Sequence, residues 1–236
     1  MMFLNSRMNT VKCYTFSYKN PERRQRMQER FDSEDVPLEF VDCVETSDPR
    51  VSCGPPEGQR AWAIMWNHLD MLKRFLETDS LYGIFCEDDI KIRRGFSQIL
   101  PEVLLAYKRL NLDILLLGYL ISYKPSENTS SLPKIEEPIT YLRFWDDMWG
   151  SQMYLLNRAT AQRFLEKYTR DYAMRTVSDP SLPPFSPDWT LTKDGNRALI
   201  YPMLALEEGV VATDDYGQQE FHTNCYNTHA NDDMYY

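Results

Sequence analysis

Three adjacent carboxylates, Glu87-Asp88-Asp89, directly follow the apolar run Leu81 to Cys86. A short, dense apolar run of this kind reads as a buried central strand, which leaves the acids at its C-terminal end. Along extended backbone alternate side chains share a face, so Glu87 and Asp89 point together while Asp88 points away or toward a neighbouring loop. Two convergent carboxylates make half a site for a hard cation. Mg²⁺ or Mn²⁺ binds one or two carboxylates, keeps some water and completes its shell with substrate phosphates, so a diphosphate is the substrate this arrangement suits best. The competing reading is a strand that ends in water, since acidic clusters are common on surfaces. Mutual repulsion among three acids behind a buried run favours the cation, which would relieve it.

The elements that must position these acids alternate in type. Val11 to Phe16 reads as a strand, and Pro21 opens a helix reaching about Phe31, because Pro suits a first helical turn. Leu38 to Val44 reads as a second strand, followed by a loop at Cys53-Gly54-Pro55-Pro56. From Gln59 to Glu77, Trp62, Met65, Trp66, Leu69, Leu72, Phe75 and Leu76 recur at steps of three and four, the pattern of a helix packed on one face. A further helix is expected from Phe96 to Leu110, kinked or restarted at Pro101, and a buried strand from Asp113 to Ile121. After a polar loop from Ser122 to Pro138, Trp149 to Leu156 reads as a strand. Asn157 then caps a helix to about Arg170. Ser186-Pro187-Asp188 reads as a helix start with Gly195 as its stop, and Ala198 to Tyr201 as a last short strand. Strands alternating with helices predict a mostly parallel sheet covered on both faces, with ligands outside the carboxyl ends of the strands. Glu87-Asp88-Asp89 falls at such an end.

Composition narrows the choice of partner. The 236 residues carry 26 Lys and Arg against 35 Asp and Glu, a formal charge of −9, with no basic block able to track a phosphate backbone. Nucleic-acid binding is therefore disfavoured. No apolar run approaches the length of a bilayer span, and the N-terminus lacks the apolar core of a signal peptide, so a soluble, cytoplasmic protein is expected. Cys13, Cys43, Cys53, Cys86 and Cys225 are odd in number and irregularly spaced, which fits reduced thiols better than a disulfide framework. Asn128-Thr129-Ser130 has the form of a glycosylation sequon that goes unused in that setting.

The order of these segments resembles glycosyltransferase family 25, the lipopolysaccharide-type and collagen-type galactosyltransferases, and its large-DNA-virus relatives. The family's opening strand and Arg-rich helix look like Val11 to Phe16 and Glu22-Arg23-Arg24-Gln25-Arg26-Met27. Its Gly-started helix with a Ser-His pair looks like Gly58 through Asn67-His68, and its Glu-Asp-Asp block like Glu87-Asp88-Asp89. Its Gly-to-Tyr strand before an Ala-containing helix is similar to Gly150 to Tyr154 and Ala161; Ser186-Pro187-Asp188 and Tyr201-Pro202 follow in order. The resemblance runs from about residue 11 to 203. Asn67 stands where the family has Ser and Ile64 where Cys is usual, and Asp188 follows its Pro directly, departures that bear on donor and acceptor identity. The resemblance implies an α/β GT-A glycosyltransferase fold, Rossmann-like, using Mn²⁺ (or Mg²⁺) and most often a UDP-sugar, with inversion. It divides a single domain (1–236) into a nucleotide-sugar-binding half at about 11–121, an acceptor-binding half at about 139–212 and a C-terminal tail at 213–236; the cytoplasm is the host's if the source is viral.

Roles follow as expectations. Glu87 and Asp89 would hold the metal, and His222 would complete the site as the late His that GT-A enzymes often supply. His222, Cys225 and His229 also have zinc-like spacing, a poor signal without a clear fourth ligand. An inverting transfer needs a base for the acceptor proton, and Asp188 and Asp147 are the two candidates. For Asp188 the competing role is a charge at a helix start. Thr15, Phe16 and Ser17 at the end of the first strand would meet base and ribose. Arg23 would meet a phosphate or lie on a solvated helix face, and Asp88 would line the donor site. His68 would be a hydrogen-bonded core histidine or a donor contact. Trp145, Trp149 and Trp189 would flank a glycan or glycoconjugate acceptor. Other readings are a metal-dependent nucleotidyltransferase, disfavoured by only 9 glycines and no phosphate-cradling loop, and an inactive sugar-binding domain.

Overall fold

A computed structural model of the protein describes residues 10–125, 139–144, 148–209 and 215–236. The candidate base Asp147, Trp145 and the sequon at Asn128 lie outside the described residues. The first half runs β1 (Val11–Phe16), α1 (Pro21–Asp32), β2 (Leu38–Val41), a short α2 (Pro49–Ser52), α3 (Gln59–Leu76), β3 (Tyr82–Cys86), β4 (Ile90–Ile92), α4 (Phe96–Arg109) and β5 (Ile114–Leu120). The second half runs β6 (Thr140–Arg143), β7 (Trp149–Asn157), α5 (Arg158–Lys167), α6 (Arg170–Ser178), β8 (Arg197–Tyr201), β9 (Ala205–Glu207) and α7 (Tyr216–His229).

Seven strands form one sheet in the order β2-β1-β3-β7-β5-β8-β6, and β4 with β9 makes a separate two-stranded ribbon. β1 pairs in parallel with β2 and β3, and β5 with β8. β7 is antiparallel to both its neighbours, and β6 to β8. Five strands thus share one direction, giving the mostly parallel α/β sheet flanked by helices that the sequence led us to expect. The two exceptions are β6 at one edge and β7 at the centre, where it separates β3 from β5.

Side-chain alternation sends each strand's residues to two apolar layers. Tyr14, Phe85 and Tyr154 face α3, while Cys13, Ile84 and Met153 face α1 and α4. Tyr14 and Tyr154 stack on either side of Phe85 with ring centroids 5.5 and 5.4 Å away. Pro101 sits within α4 without ending it. Asn157 accepts the Thr160 N–H as cap of α5, yet that helix stops at Lys167; Thr169 caps α6 separately. Ser186 starts no α-helix: residues 187–190 are turns leading into a 3₁₀ turn at Leu191–Lys193. No helix among the described residues is long and apolar enough to cross a membrane.

Arg158 ties the two halves together. Its guanidinium donates to the carbonyls of Leu76 (2.8 Å), Ser80 (3.3 Å) and Phe75 (3.4 Å) and to that of Thr78, where α3 runs out. The last carbonyls of a helix have no intrahelical partners and carry partial negative charge, so a cation there is doubly favourable. Arg158→Ala should cost about 2–3 kcal/mol, since charge-assisted hydrogen bonds contribute more than neutral ones. That corresponds to a fall of roughly 4–10 °C in melting temperature for a domain of this size, and an unchanged melting curve would refute the assignment.

Candidate active site

The strand-end acids meet elements from both halves. Glu87 lies just past β3, where its N–H still donates to the Gln152 carbonyl (3.1 Å) of β7. Its carboxylate accepts the Ser151 hydroxyl at 2.7 Å. The chain then turns, and Asp88 accepts from Arg23 Nη1 at 3.1 Å, with Asp89 3.6 Å from the same guanidinium. Asp88 and Asp89 thus both meet Arg23 of α1, while Glu87 meets Ser151 of β7. The β4–β9 ribbon pairs Ile90 with Glu207, and the Glu208 N–H donates to the Asp89 carbonyl (2.8 Å), so Glu207 joins the same rim. Glu208 anchors the ribbon to α1 through Arg30 (2.6 Å) and Arg26 (3.5 Å). From α7, His222 Nδ1 meets Glu207 Oε2 at 2.6 Å.

Such crowding of carboxylates perturbs their titration. Burial, then the charges of Asp89 and Asp188, push the Glu87 carboxyl well above the usual range. Burial and Glu207 raise Asp89 to about 7, against the pull of Arg23. Asp188 is also raised by burial, partly offset by the nearby Ser151 hydroxyl and the charge of Lys193. Glu207 holds His222 above its ordinary value, whereas burial drives His68 down to about 3 and keeps it neutral.

Two cavities flank the rim and share four lining residues, Arg60, Ile64, Glu87 and Asp89. The first, about 450 Å³, is walled by Phe16, Tyr18, Arg23, Val44, Asn67 and Asp88 among others. The second, about 580 Å³, is walled by Trp149, Gln152, Asp188, Trp189, Glu207 and His222 among others. Trp149 and Trp189 meet edge to face at 4.3 Å, with the Lys193 ammonium 4.0 Å from the Trp149 ring centre. Trp189 is 44% exposed, an unusual state for so large a ring and one that leaves a flat face to a ligand.

The sequence candidates divide between these spaces. Phe16, Arg23 and Asp88 line the first cavity; Asp188 and His222 line the second; Glu87 and Asp89 line both. Thr15 is fully buried in the sheet, its hydroxyl on the Phe16 carbonyl, and Ser17 bonds the Asn20 carbonyl at the surface; neither lines a cavity. His68 is a core residue, with Nδ1 2.9 Å from the Tyr154 hydroxyl and its ring stacked on Tyr154, while Nε2 stands 3.9 Å from Glu87. Cys225 is buried and His229 Nε2 meets the Ile121 carbonyl at 3.0 Å, so the zinc-like trio does not converge.

Sequence reasoning missed Glu207, Ser151, Gln152 and Arg60. The first had a signal: Ala205-Leu206-Glu207-Glu208 is a short apolar run ending in acids, a smaller copy of the pattern at Glu87. Asn67 stands out in the sequence only as a departure from the family. Its buried amide accepts the Val44 N–H (2.7 Å) and donates to the carbonyls of Val44 (3.2 Å) and Ala63 (2.8 Å), fixing the wall of the first cavity.

A cation fits this rim in part. Asp89 Oδ1 is buried without a protein partner, and the raised carboxyls are those expected where positive charge is wanted. Among the described residues no group of three or more His, Cys, Asp and Glu side chains is arranged to hold an ion alone, so phosphate and water must complete any shell.

No family model matches the sequence, and no curated protein matches it. Among solved structures it is similar to a glycosyltransferase involved in the glycosylation of the major capsid of PBCV-1, at 6% identity and TM-score 0.41 over 90% of this chain and 98% of that one. It is also similar to mannose-1-phosphate geranyltransferase from Thermus thermophilus (11%, 0.40, 81% and 73%) and to HddC from Yersinia pseudotuberculosis (10%, 0.38, 84% and 72%). Likeness at this level says nothing about chemistry, which rests on the rim itself.

Proposed function

We propose that the chain is a metal-dependent glycosyltransferase of the family 25 type, moving a hexose from a UDP-sugar to a hydroxyl of a glycan or glycoconjugate, with inversion. The observation that carries this reading is the sharing of Glu87 and Asp89 by two cavities, one with the Arg23 guanidinium on its wall and the other with exposed tryptophan and a buried carboxylate. A bound Mn²⁺ or Mg²⁺ supplies neutralisation of the charge that develops on a departing nucleotide diphosphate. The chain's own groups do the rest. Glu87 is oriented by the Ser151 hydroxyl, and Asp89 by Arg23. Phe16, Tyr18 and the Val44 loop held by Asn67 offer a slot for base and ribose. In the second cavity Asp188 Oδ1, buried and without a protein partner, takes the proton of the attacking hydroxyl. Trp149, Trp189 and Phe221 shield the exchange from water.

Thermal-shift measurements across UDP-, GDP- and TDP-sugars, with and without Mn²⁺, test the reading. A UDP-sugar with Mn²⁺ should stabilise the protein by about 2.7 kcal/mol at a hundredfold excess over Kd, and neither component alone should do so. Absence of stabilisation and of nucleotide release with every donor and either cation would refute it.

A further inference from the structure

Of the four side chains that belong to both cavities, Glu87 and Asp89 are the acids of the rim and Ile64 is apolar wall. Arg60 is the fourth. It is an exposed residue, within reach of a ligand, where the two spaces adjoin.

Its position on α3 runs against helix electrostatics. Arg60 is the second residue of an 18-residue helix whose first turn contains no acid and whose start has no side-chain cap. The N-terminal end of a helix carries partial positive charge, so a cation there is unfavourable and an anion is favoured. Ala61, Ala63 and Ile64 of the same end line the cavities with it, which makes the start of α3 their common wall. Guanidinium and helix end therefore act on an anionic ligand with the same sign.

The other basic groups of the two walls stay on one side each. Arg23, in the first cavity, donates to Asp88 at 3.1 Å and lies 3.6 Å from Asp89. His222, in the second, meets Glu207 at 2.6 Å. Among the described residues Arg60 is the one arginine or lysine that lines both. A donor with its nucleoside in the first cavity and its sugar in the second must lay its diphosphate across that boundary. We propose that Arg60 binds the distal phosphate, the one joined to the transferred sugar; the inference rests on the glycosyl-transfer reading for the donor's placement. When the bond between the anomeric carbon and the phosphate oxygen breaks, its electron pair stays on that oxygen, and Arg60 stabilises the added charge. The acceptor oxygen forms the new bond and gives its proton to Asp188.

Titration calorimetry on the full chain with Mn²⁺ tests it, using UDP, GDP and TDP beside their monophosphates. At least one diphosphate should bind roughly tenfold or more tightly than its monophosphate. Arg60→Gln should weaken that diphosphate about 10–100-fold, the range for a lost charge-assisted hydrogen bond, and leave the monophosphate within about twofold. Arg60→Lys, which keeps the charge without the planar fork, should recover part of the loss. Melting curves establish that the variants are folded. Unchanged diphosphate binding by folded Arg60→Gln, an equal loss for the monophosphate, or no preference of the wild type for any diphosphate overturns the proposal. Sugar transfer is read separately. Diphosphate binding that depends on Arg60 without turnover of any nucleotide sugar supports the phosphate site and removes the transferase reading, whereas turnover at the wild-type rate by Arg60→Gln removes the phosphate site and leaves that reading standing.

Discussion

Asp89→Asn is expected to abolish Mn²⁺-dependent transfer while raising the melting temperature of the metal-free protein. The two effects have one cause. Asp89 is a carboxylate at 17% side-chain exposure, placed near Glu87, Asp88, Glu207 and Glu208, with Arg23 and His222 to offset them. Its folded pKa of about 7 lies above the ordinary 3.8, so the folded state holds a proton that the unfolded chain releases. Stability therefore falls as pH rises from about 4 to 7, and above 7 the whole penalty is present. The amide is nearly isosteric and uncharged, so it removes the penalty at pH 8 and changes little at pH 4. A gain on the order of 1–2 kcal/mol, roughly 3–6 °C, is expected at pH 8 once the lost attraction to Arg23 is discounted. Binding of a dication by the native chain would reverse the order, since the wild type gains from Mn²⁺ and the variant does not. Melting curves at both pH values, with and without Mn²⁺, check each arm. A variant that melts lower than wild type at pH 8 without metal, or that transfers sugar at the wild-type rate, contradicts the account.

How much of this was legible in the sequence depends on what fixes each feature. The strand before Glu87 and the long helix Gln59–Leu76 were legible because burial imposes a pattern on the residues themselves. The partners of the rim acids, Arg23 for Asp88 and Ser151 for Glu87, were not legible, because the strand ends at Cys86 and the chain bends through the acids. The direction of β7 was not legible: Trp149 to Leu156 is buried on both faces whichever way it runs, and its place between β3 and β5 is set by chain connections. β9 is three residues long, too short for periodicity, so Glu207 stayed hidden although its acids repeat the signal at Glu87. Helix α7 reads in the sequence as a polar tail because Gln218, Gln219, Glu220, Thr223 and Asn224 leave little apolar face. It is held by particular contacts: His222 to Glu207, the Tyr226 hydroxyl to Lys91 Nζ (2.9 Å), and Thr228 to the Ser122 carbonyl (3.1 Å). The expected helix at Ser186 failed for the converse reason. Its cap and Pro are present, but Phe185 is drawn into Trp62 and Trp66 at 5.5 and 5.2 Å, and the chain turns to follow.

That turn is what delivers Asp188 to the second cavity, and Asp188→Asn should lower the rate of transfer by about 10²–10⁴-fold, the usual span for a lost general base. A charge serving only to complement a helix start has no α-helix here to complement. Burial raises the Asp188 carboxyl, making it a stronger base than a solvated aspartate, while Ser151 keeps it from rising further. Oδ1 is buried without a protein partner. The loss should fall on kcat, because the amide fills the same space and can still meet a hydroxyl without removing its proton. Glu87 and Glu207 line the same cavity, but both are engaged, the former by Ser151 and the latter by His222. Steady-state rates for Asp188→Asn against wild type, with donor saturating and acceptor varied, separate the possibilities. A raised acceptor KM at unchanged kcat would make Asp188 a binding group, and the base would then have to be sought elsewhere on the rim.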